Sequence, residues 1–254
     1  MTFSRKAESF GLALLFSSAI IPPHAAIAQT AGSLDLFADG TLNGWTTAGG
    51  ASVTATTVTL NLGVSPFTLT PAPGESMAVI QPQLSLTTID SIDAALGLSP
   101  GTMLSATGTG NVTINAVGAN LTTTTFGYIS KQLTLSQGSY TFYWAYAAQD
   151  YLPYTDGVFF SIAGNGLNAV DLLARNGAAG ITAGSTGYPA QTVILQSYGS
   201  TSFIAQTFTI DNSGTYQLGF VDFNAIDSAL DPILFVASKL GTTTGTVVIT
   251  NPPA

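Results

Sequence analysis

The sequence has no cysteine and a single histidine, and only 7% of its 254 residues are charged. The histidine, His24, falls in an N-terminal segment that carries Arg5 and Lys6, an apolar run from Phe10 to Ile21, then Pro22 and Pro23, and Ala26-Ile27-Ala28 before Gln29. That order defines a secretory signal peptide over residues 1–28 with an A-x-A cleavage site. Its apolar run is too short for a membrane span, and no later stretch is long and apolar enough to supply one. The expected address is therefore secreted, extracellular or at the cell surface, with no membrane span after cleavage.

Beyond residue 28 the chain has neither histidine nor cysteine. This excludes Ser-His-Asp and Cys-His nucleophiles, histidine acid/base catalysis, structural zinc and disulfides. A secreted chain without disulfides has to be stabilised by its core, and about 225 residues suffice for that. Removing the leader leaves 12 acidic residues against 3 basic ones, Lys131, Arg175 and Lys239. Three cations cannot build a phosphate-binding surface, so nucleic acid is not an expected partner.

What is present is strand character. Gly138 to Ile162, GSYTFYWAYAAQDYLPYTDGVFFSI, holds the densest aromatic run, with Phe142, Trp144 and Tyr146 alternating with Tyr143 and Ala145. One face of an extended chain would carry those rings into a core. The polar segment that follows ends in Asp156-Gly157, a turn signal leading into a second strand, VFFSI.

In chain order, residues 33–63 read as two or three short strands with Asn43-Gly44 as a turn, and Trp45 as a core ring. Val64 to Pro82 contains Pro66, Pro71, Pro73 and Pro82 and reads as a loop or edge; Glu75 there reads as a solvated charge. LTTIDSIDAALGL, residues 86–98, has helical spacing at Ile89, Ile92, Ala95 and Leu96 and is stopped by Ser99-Pro100-Gly101. Asn111 and Asn120 fit the glycosylation pattern but read as turn residues.

LTLSQGSYTFYW, residues 133–144, is echoed by FTIDNSGTYQLGF, residues 208–220, and both lead to an aspartate and an apolar strand. The two copies read as equivalent hairpins, either on facing sheets of one sandwich or as recurring hairpin grammar. Between them GLNAVDLLARNGAAG reads as a short helix or strand edge, followed by a glycine-rich loop and the strand TVILQSY. Residues 240–254 supply a last strand and a proline-ended tail. The expected architecture is an all-β antiparallel sandwich with one or two short helices, a single domain over residues 29–254.

Three stretches resemble a family of bacterial exported proteins that carry a PEP-CTERM sorting tail: IDAALGLSPGTM within residues 89–103, residues 127–162, and residues 213–236. The resemblance implies a jelly-roll-like sandwich exported to the envelope, matrix or medium. The chain departs from the family at its end, TVVITNPPA, which has no sorting motif, hydrophobic helix or basic tail. Loss of the tail and direct release both account for that departure. DGTLNGW also resembles the entry strand of galactose-binding-like jelly rolls.

Asp150 and Asp156 flank the loop after the aromatic strand, and Asp222, Asn224, Asp227 and Asp231 flank its counterpart in the second copy. If the two loops meet, these oxygens suit calcium; otherwise they cap turns. Tyr151, Tyr154 and Tyr188 offer rings for a glycan surface or pack around Pro153 and Pro189.

The leading functional expectation is a non-catalytic, secreted protein that binds or organises extracellular polysaccharide or cell-surface matrix, with structural calcium. The alternatives are a self-associating structural matrix protein, and a carboxylate-dependent polysaccharide-degrading enzyme. Oligomeric state is left open by the sequence.

Overall fold

The computed structural model describes residues 29, 31–62, 65–85, 90–103, 125–151, 156–176, 192–224, 229–245 and 249–251. Residues 1–28, which carry the expected signal peptide, and Asn111, Asn120, Tyr154, Tyr188 and Asp227 lie outside the described residues. The first strands are β1 Gly32–Ser33, β2 Thr46–Ala48, β3 Gly50–Thr54, β4 Val58–Leu62, β5 Ser65–Thr70, β6 Met77–Gln81 and β7 Leu84–Ser85, followed by helix α1 Asp90–Ala95. Four long strands come next: β8 Thr125–Leu135, β9 Gly138–Ala147, β10 Gly157–Gly164 and β11 Leu167–Asn176. The last six are β12 Val193–Leu195, β13 Ile204–Ile210, β14 Gly214–Asn224, β15 Ile233–Ala237, β16 Thr242–Thr244 and β17 Ile249–Asn251.

These strands build an all-β sandwich. An eight-stranded sheet runs β17-β12-β11-β10-β14-β8-β2, with β7 also on β8. It faces a six-stranded sheet, β1-β9-β15-β6-β3, with β13 on the other side of β9. Pairing is antiparallel except for the short β1–β9 and β11–β12 contacts. No helix among the described residues is long and apolar enough to cross a membrane.

The alternation of the aromatic strand fixes which rings go inward. Tyr140, Phe142, Trp144 and Tyr146 of β9 face the core between the sheets, where Phe142 meets Phe160 of β10 at 4.8 Å and Phe220 of β14 at 5.0 Å. Trp45 is buried at the rim of the same core and stacks on Phe37 at 5.3 Å, with Lys131 Nζ 5.5 Å from its ring. Two outer layers cover the backs of the sheets. Ile92 and Leu96 of the α1 segment, with Leu98 and Met103, pack on Phe126, Phe159 and Phe223. A three-stranded sheet, β16-β5-β4, packs Phe67 and Leu69 against Ala145, Ile233 and Phe235.

The two echoed segments are β-arches, not hairpins. β8 and β9 lie in different sheets, as do β13 and β14, so each turn carries the chain across the sandwich. The copies pair with each other instead: Leu133 with Tyr216 and Leu135 with Gly214 in one sheet, Phe208 with Tyr140 and Ile210 with Gly138 in the other. Each pair exchanges equivalent positions of the two copies, the signature of an approximate internal two-fold. The strands that follow obey it too, since β10 adds to β14 and β15 adds to β9. A hairpin and an arch share the same strand–turn–strand pattern, which is why the local sequence did not separate them.

Three further expectations are corrected. Residues 64–82 contain two interior strands: β6 lies between β15 and β3, and β5 between β16 and β4. The prolines punctuate rather than forbid, with Pro66 near the start of β5, Pro71 and Pro73 in the connection, and Pro82 just past β6. The GLNAVDLLARN stretch is β11, joined to β10 through Asn165 (φ 45°) and Gly166 (φ 86°). Two left-handed residues in succession suit a type I′ hairpin turn. Finally, the C-terminal segment contributes two strands, β16 and β17, to different sheets.

Candidate functional site: an aromatic pair above a buried polar row

Because both arches lie at one end of the sandwich, β9 and β14 both run toward the other end, and the loops that follow them meet there. Gln149 Nε2 donates to the Asp231 carbonyl, tying the first loop to the second. A third segment joins them: Ala148 N donates to Gly199 O at 2.9 Å, and Tyr146 N to Thr201 Oγ1 at 2.8 Å. Residues 146–149, 199–201 and 231 are thus joined at this end of the sandwich.

At the surface of this end stand Tyr151 and Tyr198, 42% and 39% exposed, with ring centroids 6.1 Å apart and planes inclined by 40°. Asp150 organises both. Its Oδ1 accepts from Tyr151 N at 2.6 Å, and its carbonyl accepts from Tyr198 N at 2.6 Å. Gln149 and Tyr198 both have φ of 55°, a left-handed conformation that side chains larger than glycine disfavour. Such strain persists only where the surroundings hold it, here through the Asp150 hydrogen bonds. Tyr198 escaped sequence reasoning because its partner lies 47 positions away; the one available signal was a tyrosine just beyond the TVILQ strand.

Beneath the pair, on the inner face of the eight-stranded sheet, is a row of polar side chains. Asn176 N donates to Asp156 O at 3.0 Å, and Gly157 pairs with Phe223, which places Asn176, Asp156 and Asn224 side by side across β11, β10 and β14. Val158 pairs with Asp222 on the next rung. All four polar residues are fully buried. Asp222 Oδ2 accepts from Leu234 N at 3.1 Å, and Asn224 Nδ2 donates to Ala229 O at 3.0 Å and to Asp231 Oδ1 at 3.3 Å.

Burial pushes the Asp222 carboxyl well above the usual carboxylate range, and the charge of Asp156 adds to the effect. The hydroxyl of Tyr146, facing the row from the opposite sheet, is raised well above its ordinary value by burial and then by Asp156, Asp222 and Asp150. Proximity to several carboxylates in a dry core is the common cause. Among the described residues no group of three or more carboxylates is placed to hold a metal ion. The Asp150 carboxyl accepts from the Tyr151 amide, and the Asp231 carboxyl accepts from Asn224.

Elsewhere, Glu75 forms an ion pair with Lys239 beside an open cleft lined by Leu34, Asp35 and Phe37. The solvated reading of Glu75 is thus modified by a partner that the sequence placed 164 positions away.

No family model matches this chain, and no curated protein matches it. A solved structure concerning carbohydrate-binding modules of the β-sandwich superfamily is similar, with 12% identity and a TM-score of 0.25, over 81% of this chain. This chain covers 60% of that structure's length. The sandwich assignment rests on this chain's own strand pairing.

Proposed function

We propose that this is a non-catalytic, secreted β-sandwich that binds extracellular polysaccharide or cell-surface matrix glycan at the Tyr151–Tyr198 end. The observation that carries the reading is the exposed ring pair itself. Two large apolar side chains are left in water side by side, and backbone strain at Tyr198 is maintained to keep one of them there. Tyrosine suits a sugar, whose C–H face stacks on a ring while its hydroxyls bond to the phenol and nearby backbone. Two rings inclined to one another fit a twisted chain better than a flat one.

The carboxylates support a binding rather than a hydrolytic role. A glycosidase needs two opposed carboxyl groups at a substrate-accessible cleft. At the ring-pair end Asp150, Asp156 and Asp222 are at most 1% exposed, out of reach of a glycan lying on the rings. Export through the leader places the protein where such polymers occur, and a bound calcium ion completes the reading.

A glycan array of β-linked and uronic-acid polysaccharides tests it. The wild type is expected to retain at least one polymer, and Tyr151→Ala and Tyr198→Ala are each expected to weaken that binding tenfold or more, about 1.4 kcal/mol. Absence of retention on every polymer, or undiminished binding by both variants, would sink the proposal.

A further inference from the structure

We propose that the buried row Asn176–Asp156–Asn224, with Asp222 on the adjacent rung, is a site for one calcium-class divalent cation that locks the loop end of the sandwich. The proposal deepens the calcium part of the reading above but does not depend on glycan binding.

The first support is orphaned polar atoms, three of them acceptor oxygens. Asn176 leaves both its amide oxygen and its amide nitrogen without a hydrogen-bond partner, Asn224 its Oδ1, and Asp222 its Oδ1, all in fully buried side chains. A buried polar atom left unsatisfied is costly, so several at one place call for an occupant.

The second is orientation. Asn224 spends both amide hydrogens on Ala229 and Asp231, which fixes the flip of the amide and directs Oδ1 the other way. Asp222 uses Oδ2 on Leu234 N, so Oδ1 is likewise left over. Strand register puts Asn176, Asp156 and Asn224 on one face, and cross-strand neighbours on one face stand about 5 Å apart. A cation about 2.4 Å from each oxygen bridges such a gap.

The third is charge and hardness. Two carboxylates and two amide oxygens are hard donors that calcium accepts, whereas thiolate and imidazole donors are lacking in the chain beyond residue 28. Arg175, next to Asn176 in β11, is buried as well, and its charge offsets part of the carboxylates' effect on Tyr146. The cation would also hold Asp222 ionised, reversing the effect of burial.

The test is thermal unfolding of the whole secreted protein after dialysis against chelator, with calcium chloride or magnesium chloride added back, beside calorimetric titration with calcium. Calcium at a hundredfold excess over Kd is expected to raise Tm by about 5 to 10 °C with one ion per chain, and magnesium by less. Asn176→Leu and Asp222→Asn are each expected to remove most of that rise, while Tyr151→Ala and Tyr198→Ala retain it. A wild type indifferent to calcium in both measurements overturns the site, as does an undiminished rise in both row variants. Should one row variant fail to fold, the wild-type titration and the other variant decide. A calcium response without glycan retention would leave this site standing and remove the binding proposal alone.

Discussion

Tyr140 and Tyr216 occupy equivalent places on opposite sheets, and each donates its hydroxyl to the carbonyl four residues upstream, Ser136 and Asn212. Each thereby fixes the arch that carries the chain from one sheet to the other. The same corner recurs in both copies of the echo, and each tyrosine pairs with the other copy's incoming strand, at Phe208 and Leu133. Tyr140 also reaches the Gln29 carbonyl, adding the N-terminal segment to its corner.

Replacing either hydroxyl should therefore loosen an arch while leaving the core volume unchanged. Tyr140→Phe and Tyr216→Phe are each expected to lower the unfolding free energy by about 1 kcal/mol in urea titrations, with no change in m-value. The residues are on different arches, so the double variant should lose close to the sum.

Gly127 of β8 packs directly against the Gln81 backbone of β6. A Cβ there would sit 2.0 Å from the Gln81 carbonyl oxygen, and the obstacle is backbone, not a side chain that can swing away. Gly127→Ala is expected to cost about 2 to 3 kcal/mol by the same titration. Wild-type stability in that variant would show that the two sheets part more easily at this corner than their packing indicates.

Phe160 touches Phe142, Phe208 and Phe220, joining both arches and β10 in one aromatic cluster. Truncating it to alanine removes contacts to all three, and a loss of about 3 to 5 kcal/mol is expected. Calorimetry should show the transition shifting as a unit rather than splitting.

Asp171, on β11, has its carboxyl raised by burial. A carboxyl whose folded-state pKa lies above its unfolded value contributes stability that is complete below the unfolded pKa and lost as pH rises through the folded one. Asp171→Asn is therefore expected to melt like the wild type in acid and above it at neutral pH. Parallel melting curves across that range would assign the group no role in pH dependence.

Tyr198→Gly separates binding from stability at the surface pair. Glycine accepts a φ of 55° without strain, so Tm should hold or rise, while glycan retention falls as it does in Tyr198→Ala. A variant that loses stability and keeps retention would reverse the assignment.

Much of this was legible along the chain. Period-two alternation in β9 assigned Phe142, Trp144 and Tyr146 to the core, because a strand sends successive side chains to opposite faces. The echo of 133–144 in 208–220 revealed two related units, and helix α1 was visible in the spacing of Ile92 and Leu96. Proline density misled at β5 and β6, since proline disfavours a strand interior but says nothing about what lies between prolines.

Composition by itself excluded cysteine chemistry and, beyond residue 28, histidine chemistry, and pattern by itself marked the long aromatic strands, because residue type and periodicity are local properties. Only the tertiary structure decided that the repeated turns cross the sandwich, that Tyr151 stands beside Tyr198, and that Asn176 joins Asp156 and Asn224 in one buried row. Those relationships join residues tens of positions apart, and they are set by which strand edge each arch meets across the core, a choice that the local sequence does not encode.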